Sequence, residues 1–337
     1  MRVDVTVTRH ATPGRAFAWE RAALAAAASG RAALHVYEMD ADVVALGRYH
    51  VAPDERADGA FWRRQSGGRA TAAGAGFVVV AFALPHRSAL VSTDPFALGP
   101  EQVMNRCVRG LLRALALAGV DARYPGRDTV TAGGRPLALV SFEVDRRGAL
   151  LFEAVMSVGR DASALPAMLD RADPAGVVPA AMVAADAVTS VDRETGRVPG
   201  VEDVVAWIRR GYAESSDVAF GDGPPATLAD EPDVRGWLHA RRPPASARRA
   251  RTSTLLGTLE AFVARDGDAI LDVCLAGDLI APSPTVAAIE AGLRGCHAER
   301  SAVDAVVTGV LADPGAFVLG VGPARTLTDT IMEAAVG

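Results

Sequence analysis

The densest concentration of residues able to do chemistry is Trp62-Arg63-Arg64-Gln65-Ser66-Gly67-Gly68-Arg69-Ala70. Two successive glycines let backbone N–H groups approach a ligand that a Cβ would hold away. Consecutive exposed amides form an anion-binding nest, and adjacent arginines add forked donors for phosphate or carboxylate. Together they describe a pocket for an anionic or acyl-phosphate ligand. The same run also reads as a polar loop with a Gly-Gly hinge and two solvated arginines. Spacing alone leaves both readings open.

What the chain lacks narrows the chemistry further. All 35 basic residues are arginine, in a composition dominated by Ala, Val, Gly and Arg of the kind a GC-rich genome produces. Surface Lys→Arg exchange is nearly free, but a site that needs an amine cannot use a guanidinium in its place. Schiff-base and lysine general-base chemistry are therefore excluded. Cys107, Cys274 and Cys296 form no CxxC pair, so neither a zinc site nor a disulfide framework is expected, and each reads as a small hydrophobe. His10, His35, His50, His86, His239 and His297 are scattered with no metal-binding spacing, so no metal site is expected. No GxSxG, Walker loop or strand-linked GxGxxG is present.

A formal net charge of −5 argues against a nucleic-acid partner. No apolar run is long enough to span a bilayer, and the opening Met1-Arg2-Val3-Asp4-Val5 carries no secretory h-region. The expectation is a reduced cytoplasmic compartment.

The elements that must position these residues follow from periodicity. Val3–Thr8 alternates as a strand, and Phe17–Ala28 reads as a helix ended by Gly30. Ala33–Glu38 and Val43–Tyr49 suggest a hairpin or tight strand pair across Asp40-Ala41-Asp42. Gly76–Leu84 is a continuous apolar run, as in a strand covered on both faces. A helix is expected from Pro100 to about Leu117. Leu137–Val144 and Ala149–Val158 form the clearest hairpin, with Glu143 and Glu153 either a carboxylate pair for acid/base work or structural groups. Ala164–Arg171 and Val201–Tyr212 read as helices. Arg241–Arg251, with its prolines and positive charge, is the best linker. Thr258–Val263 and Ile270–Leu275 then flank an Asp-Gly turn, and helices follow at Thr285–Leu293, Ala302–Leu311 and Leu327–Ala335. The expected division is 1–240, a linker at 241–254, and a small α+β unit at 255–337, an ordinary size for a second domain.

The ordered motifs resemble the lipoate-protein ligases of the biotin/lipoate ligase superfamily. Val44-Ala45-Leu46-Gly47-Arg48 followed by Arg63-Arg64-Gln65-Ser66-Gly67-Gly68 is similar to that family's hydrophobic-Gly-Arg strand end and RRxSGGG loop. Phe17–Leu24 resembles its first helix, with an N-x-A-x-E pattern. Tyr124-Pro125-Gly126-Arg127-Asp128 resembles its GRND loop, and Asp272–Asp278 with Leu293-Arg294-Gly295 resembles the GDF and L-x-G motifs of its accessory domain. The resemblance implies a mixed β-sheet flanked by helices, an α+β fold with a small α+β C-terminal accessory domain. It implies lipoate (or octanoate) and ATP as substrates, Mg as a possible companion, and a lipoyl domain as acceptor of the acyl group through an acyl-adenylate. Carried over by position, Arg63, Arg64, Ser66, Gly67 and Gly68 would line the acyl and adenylate pocket, with Arg48, Gly76 and Asp128 nearby.

The chain departs from the pattern at four places. Arg69 replaces the third glycine, and Ala70–Phe77 keeps only Gly76 of AVxHDxGN. Pro136 stands where GRK(I/V)xG carries its catalytic lysine, and Leu150–Val155 lacks both histidines of HHGTLL. Removing one preorganised donor of that kind commonly costs on the order of 100–1000-fold in rate. Arg135, brought round by a one-residue bulge, or Arg69, entering from the loop, would be the substitute cation. Each also reads as a solvated charge. Alternatives to the ligase are an adenylation-independent acyltransferase and a relative that only binds a ligand or partner.

Overall fold

The structure is a computed structural model that describes residues 1–52, 61–171, 184–223 and 234–336. Its centre is one eight-stranded mixed sheet. In chain order its strands are β1 (Arg2–Ala11), β2 (Ala32–Met39), β6 (Phe77–Leu84), β7 (Ala122–Arg123), β8 (Thr129–Ala132), β9 (Arg135–Val144), β10 (Leu150–Ser157) and β11 (Ala219–Asp222). Their spatial order is β11-β1-β2-β6-β10-β9-β8-β7, with the β11-β1 and β1-β2 pairs parallel and the rest antiparallel. A second sheet of three very short strands lies apart, β3 (Val43–Leu46) between β4 (Phe61–Arg63) and β5 (Thr71–Ala73). The expected hairpin of Ala33–Glu38 with Val43–Tyr49 is therefore corrected. Those segments join different sheets, because β2 is a central strand whose two edges are already taken by β1 and β6.

Period-2 alternation divides the large sheet's side chains between two cores. Val78, Val80, Phe82 and Leu84 of β6 point with Val140, Phe142, Phe152 and Ala154 toward helices α2 (Pro100–Leu117) and α5 (Val201–Ser215). Val79, Ala81, Ala83, Leu151 and Val155 point the other way, toward α1 (Pro13–Ala27) and the small sheet. Every residue of β6 and β10 is buried, so β6 reads as an unbroken apolar run with no polar face. Helix α1 starts earlier than its apolar stripe, at Pro13, because Thr12 accepts a hydrogen bond from the Arg15 amide and Pro13 suits the first helical position.

After α3 (Leu165–Arg171), α4 (Val191–Thr195) and α6 (Val234–Leu238), a C-terminal unit stacks α7 (Ser283–Leu293), α8 (Arg300–Leu311) and α9 (Arg325–Val336) with strands β12 (Arg248–Ser253), β13 (Thr258–Asp266) and β14 (Ala269–Gly277). Strand β12 lies within residues 241–254 and pairs with β13 throughout its length. Tyr49, from the end of the small sheet, is buried in the C-terminal core and donates from its hydroxyl to the Ala281 carbonyl at 2.8 Å.

Helices α2 and α5 cross at glycines. A Cβ on Gly211 would sit 2.3 Å from the Gly110 carbonyl oxygen and 2.6 Å from the Ala114 nitrogen. Gly211→Ala is expected to lower stability by about 2–3 kcal/mol, the usual scale for overpacking. Gly309→Ala, on the exposed side of α8 with nothing within 4 Å of its Cβ, should instead stabilise by about 0.5–1 kcal/mol. Urea unfolding of both variants checks the pair; equal midpoints would contradict this crossing.

Candidate functional site

The turn from β4 to β5 is buried throughout, including its three arginines. It lies on the α1 face of the large sheet, roofed by the segment that leads into α7. The Gly68 amide donates to the Leu279 carbonyl at 2.8 Å. Gly67 is packed so tightly beneath it that a Cβ would stand 2.1 Å from the Leu279 oxygen. Gly68 itself has φ +80°, a conformation open to glycine at little cost.

The expectation of an exposed nest of amides and solvated arginines is corrected by these partners. The Ser66 amide donates to Glu153 Oε2 at 2.6 Å. Arg63 gives Nε and Nη2 to the Leu238 carbonyl and Nη1 to the Arg48 carbonyl. Burial, with Arg241 and Arg48 nearby, pulls the Arg63 guanidinium down to about 9, so it stays charged at neutral pH. Arg64 gives Nη2 to the Gly67 and Arg69 carbonyls. Ser141 Oγ donates to the Gly67 carbonyl at 2.9 Å. A buried polar group must be bonded or it costs free energy. Protein acceptors take the Ser66 and Gly68 amides, Arg63 and Arg64 Nη2, whereas Arg64 Nε and Nη1 and Gln65 Nε2 have none among the described residues.

Arg69 is placed differently. It makes a two-pronged contact with buried Asp128, Nε to Oδ2 at 2.6 Å and Nη2 to Oδ1 at 2.5 Å. Burial pushes the Asp128 carboxyl up from its ordinary range and Arg69 pulls it back. Beside this pair opens a half-open cleft with about 50 Å³ enclosed, lined by Arg69, Ala70, Thr71, Thr129, residues 136–139, Val155, Ser157, Ala162 and Leu165. Among the described residues its walls are chiefly aliphatic, with hydroxyls at Thr71, Thr129 and Ser157 and the Arg69 guanidinium.

Pro136 lies in that wall at a β-bulge. The β8–β9 register shifts between Val130 and Thr131, so Leu137 has no counterpart. A bulge tolerates proline, which has no amide to give a ladder. The expected bulge exists, but it does not bring Arg135 to the cleft. Arg135 points to the hairpin's outer end, pairs with Glu194 Oε1 at 2.7 Å, and keeps 40% of its side chain exposed.

Gly76 does not line the cleft. With φ +82° it closes the β5–β6 turn, and its carbonyl accepts the amides of Val158, Gly159 and Arg160. Arg48 stacks over Trp237, its Cζ 4.9 Å from the ring centre, and donates to the Gln65 carbonyl at 3.2 Å. His50 is buried and its Nε2 lies 3.0 Å from Asp278 Oδ1, an intramolecular pair rather than a cleft group.

None of the three cysteines lines the cleft. Burial pushes the Cys107 thiol up to about 12 and Cys274 to about 11, which removes thiolate at neutral pH. Among the described residues no group of three or more His, Cys, Asp or Glu could hold a metal ion. None of the helices there is long and apolar enough to cross a membrane.

Sequence reasoning singled out Glu143 and Glu153 as a pair but not their separate duties. In the β9–β10 register Glu153 stands opposite Ser141 and Glu143 opposite Leu151, diagonal neighbours on one face. Glu153 holds the Ser66 amide, whereas Glu143 Oε1 accepts the Ser283 amide at 3.0 Å, at the start of α7. Glu20 of α1, within the segment that resembles the N-x-A-x-E helix, was given no role. It is fully buried beneath the turn and accepts the Tyr37 hydroxyl at 2.8 Å. A charged residue in the Ala-rich helix was the available signal.

The catalytic-domain model of the lipoyl protein ligases A/B matches residues 12–213. The chain belongs to that family. Among solved structures, P. falciparum LipL1 in complex with lipoate superimposes with a TM-score of 0.70 at 11% identity, covering 98% of this chain and 99% of that one. Lipoate-protein ligase A bound with ATP gives a TM-score of 0.50 at 18% identity over 71% of this chain and 92% of that one. A T. acidophilum protein with bound lipoic acid gives 0.50 at 18% over 71% and 93%. At these identities the superpositions show the shared fold. No curated protein sequence matches significantly.

Burial pushes the Glu143 carboxyl up from 4.5 to about 7, against the pull of Arg48 and the Ser283 amide. A folded value above the unfolded one means a contribution fully present below about pH 4.5 and lost as pH rises through about 7. Relative to Glu143→Gln, wild type should lose about 3 kcal/mol across that window, since each tenfold change in proton affinity is worth about 1.4 kcal/mol. Parallel stability-versus-pH curves for the two proteins would contradict this.

Proposed function

We propose that this chain is a lipoate-protein ligase-like protein that binds lipoate or a related medium-chain acyl group in the cleft beside Arg69. The observation that carries this reading is an aliphatic cleft with the Arg69 guanidinium in its wall, on the fold shared with lipoate-bound structures. Burying a methylene contributes about 0.8 kcal/mol, so Leu137, Leu139, Val155 and Leu165 would supply chain affinity. Arg69, with Thr71 and Thr129 nearby, would receive the carboxylate or its activated ester, exchanging part of its contact with Asp128. Because little of the cleft is enclosed, a medium-chain group would extend through its open side.

The full ligase reaction joins the acyl group to ATP and passes it from the adenylate to a lysine on a lipoyl domain. In that reaction Arg69 is the cation assigned in place of the family lysine, with Pro136 at the lysine's position. Any Mg is assigned to the nucleotide rather than to residues of this chain. Arg48, Arg63, Arg64, Ser66, Gly67 and Gly68 are assigned to shaping the turn rather than to direct ligand contact. Gly76 shapes its neighbouring turn, and Arg135 is left out of the catalytic set.

A second reading is favoured by a specific observation. The amides of Ser66 and Gly68 are held by Glu153 and Leu279, which leaves those two N–H groups of the turn unavailable to a nucleotide phosphate. An acyl-binding protein that receives a ready-made acyl donor, or only binds, needs none of them.

Calorimetric titration of lipoate and octanoate should give saturable binding that Arg69→Ala weakens about 10-fold or more, the scale of a lost charge-assisted bond. Arg69→Ala/Asp128→Asn, which leaves no orphaned buried carboxylate, controls for folding. With ATP and an acceptor lipoyl domain, release of AMP with acylated acceptor supports the ligase. Binding without AMP release supports the second reading, and absence of acyl binding overturns both.

A further inference from the structure

Beneath the turn lies a closed group of ionisable side chains that the reading of the cleft does not use. Glu20 of α1, Glu153 of β10, Tyr37 of β2 and Arg64 of the turn are all fully buried. Two carboxyl groups and one guanidinium cannot all be charged there without an uncompensated negative charge, which a buried site tolerates badly. The hydrogen bonds show where the difference is made up. The Tyr37 hydroxyl donates to Glu20 Oε1, and the Ser66 amide donates to Glu153 Oε2. The other oxygen of each carboxyl, Glu20 Oε2 and Glu153 Oε1, has no donor. The two carboxyl groups lie close enough for each to act on the other's protonation. One proton between those two oxygens satisfies both.

We propose that Glu20 is kept as a neutral acid whose carboxyl O–H donates a hydrogen bond to Glu153, leaving on Glu153 the single negative charge that holds the Ser66 amide and faces Arg64. Glu20 and Glu153 are then positioning residues for the Arg-Arg-Gln-Ser-Gly-Gly turn, and through it for Arg69 in the cleft wall. The functional consequence rests on the reading of the cleft given above; the proton assignment stands without it.

Which carboxyl carries the proton follows from surroundings. Burial first, and then the Glu153 charge, hold Glu20 well above the ordinary carboxyl range. Burial raises Glu153 too, but Arg64 and the Ser66 amide pull it back toward the ionised form. The remaining groups do not disturb this. His35 on β2, stacked between Trp19 and Tyr37, is driven by burial to about 3 and is neutral. Strand β6 contributes only apolar residues, and β1 and α6 carry Asp4, Arg9, His10 and Arg235 toward the surface.

Difference infrared spectroscopy between wild type and Glu20→Gln reads the proton directly. A protonated-carboxyl C=O band, shifted in D2O and persisting at neutral pH, should be present in wild type and missing from the variant. Hydrogen exchange reads the positioning. Peptides spanning residues 61–71 should exchange about 10- to 100-fold faster in Glu20→Ala and Glu153→Gln, the scale of a lost bond to a charged group. Glu20→Gln, which keeps a donor toward Glu153, should retain wild-type protection. An unchanged infrared spectrum in Glu20→Gln overturns the proton assignment. Equal loosening in Glu20→Gln and Glu20→Ala, or none in Glu153→Gln, overturns the positioning role. Should Glu20→Ala not fold, the Glu20→Gln and Glu153→Gln measurements still decide. Failure of wild type to bind any acyl ligand would leave both readouts intact and count only against the cleft reading.

Discussion

Three arginines in one short turn, folded out of water, set the terms for everything around them. A guanidinium buried without partners costs several kcal/mol even after relaxation, so residues 63–69 can fold only where acceptors are already fixed. The fold supplies them from distant parts of the chain: the Leu238 carbonyl for Arg63, the carbonyls of the turn itself for Arg64, and Asp128 for Arg69. Leu279 and Glu153 then close over the Gly68 and Ser66 amides. The turn is the place where the large sheet, the small sheet and the C-terminal unit are held in one register.

This arrangement changes what the glycines are for. In an exposed nest they would let a ligand near the backbone. Here Gly67 lets the Leu279 carbonyl near it, and Gly47 does the same for the Gly68 carbonyl, whose oxygen would be 2.0 Å from a Cβ. Close approach is still the reason for glycine, but the approaching group belongs to the protein. The chemistry left for an outside ligand moves one step along the chain to Arg69, where the turn meets the aliphatic cleft. A lysine-free chain can offer no ammonium there, and Pro136 on the facing strand can donate nothing. The guanidinium already held by Asp128 is the cation that remains in the cleft wall.

Much of the scaffold was legible from the sequence because its signals were local. The β9–β10 and β13–β14 hairpins announced themselves by apolar runs around Gly-containing turns, and β6 by an apolar run with no polar face. Strand partners were not local. Nothing in Ala33–Tyr49 reveals that β2 is flanked by β1 and β6 while β3 turns away to a second sheet, since both are short, largely apolar runs. The buried turn was legible by residue type but not in direction. Arg63–Arg69 could be singled out by residue type, yet whether those donors face solvent or Leu238, Glu153 and Leu279 depends on residues about 80 to 210 positions away. Glu20 was hidden for the same reason, because a glutamate in a helix looks solvated until the opposite wall is known.

On this reading an acyl chain belongs between Leu139, Val155 and Leu165 with its polar end at Arg69. A crystal structure of the protein grown with octanoate tests this most directly. Continuous density is expected along that aliphatic wall, with the carboxylate within hydrogen-bond distance of the Arg69 guanidinium and the 63–68 turn unmoved. Octanoate bound elsewhere, or seated against the amides of Ser66 and Gly68 with Leu279 displaced, would contradict it.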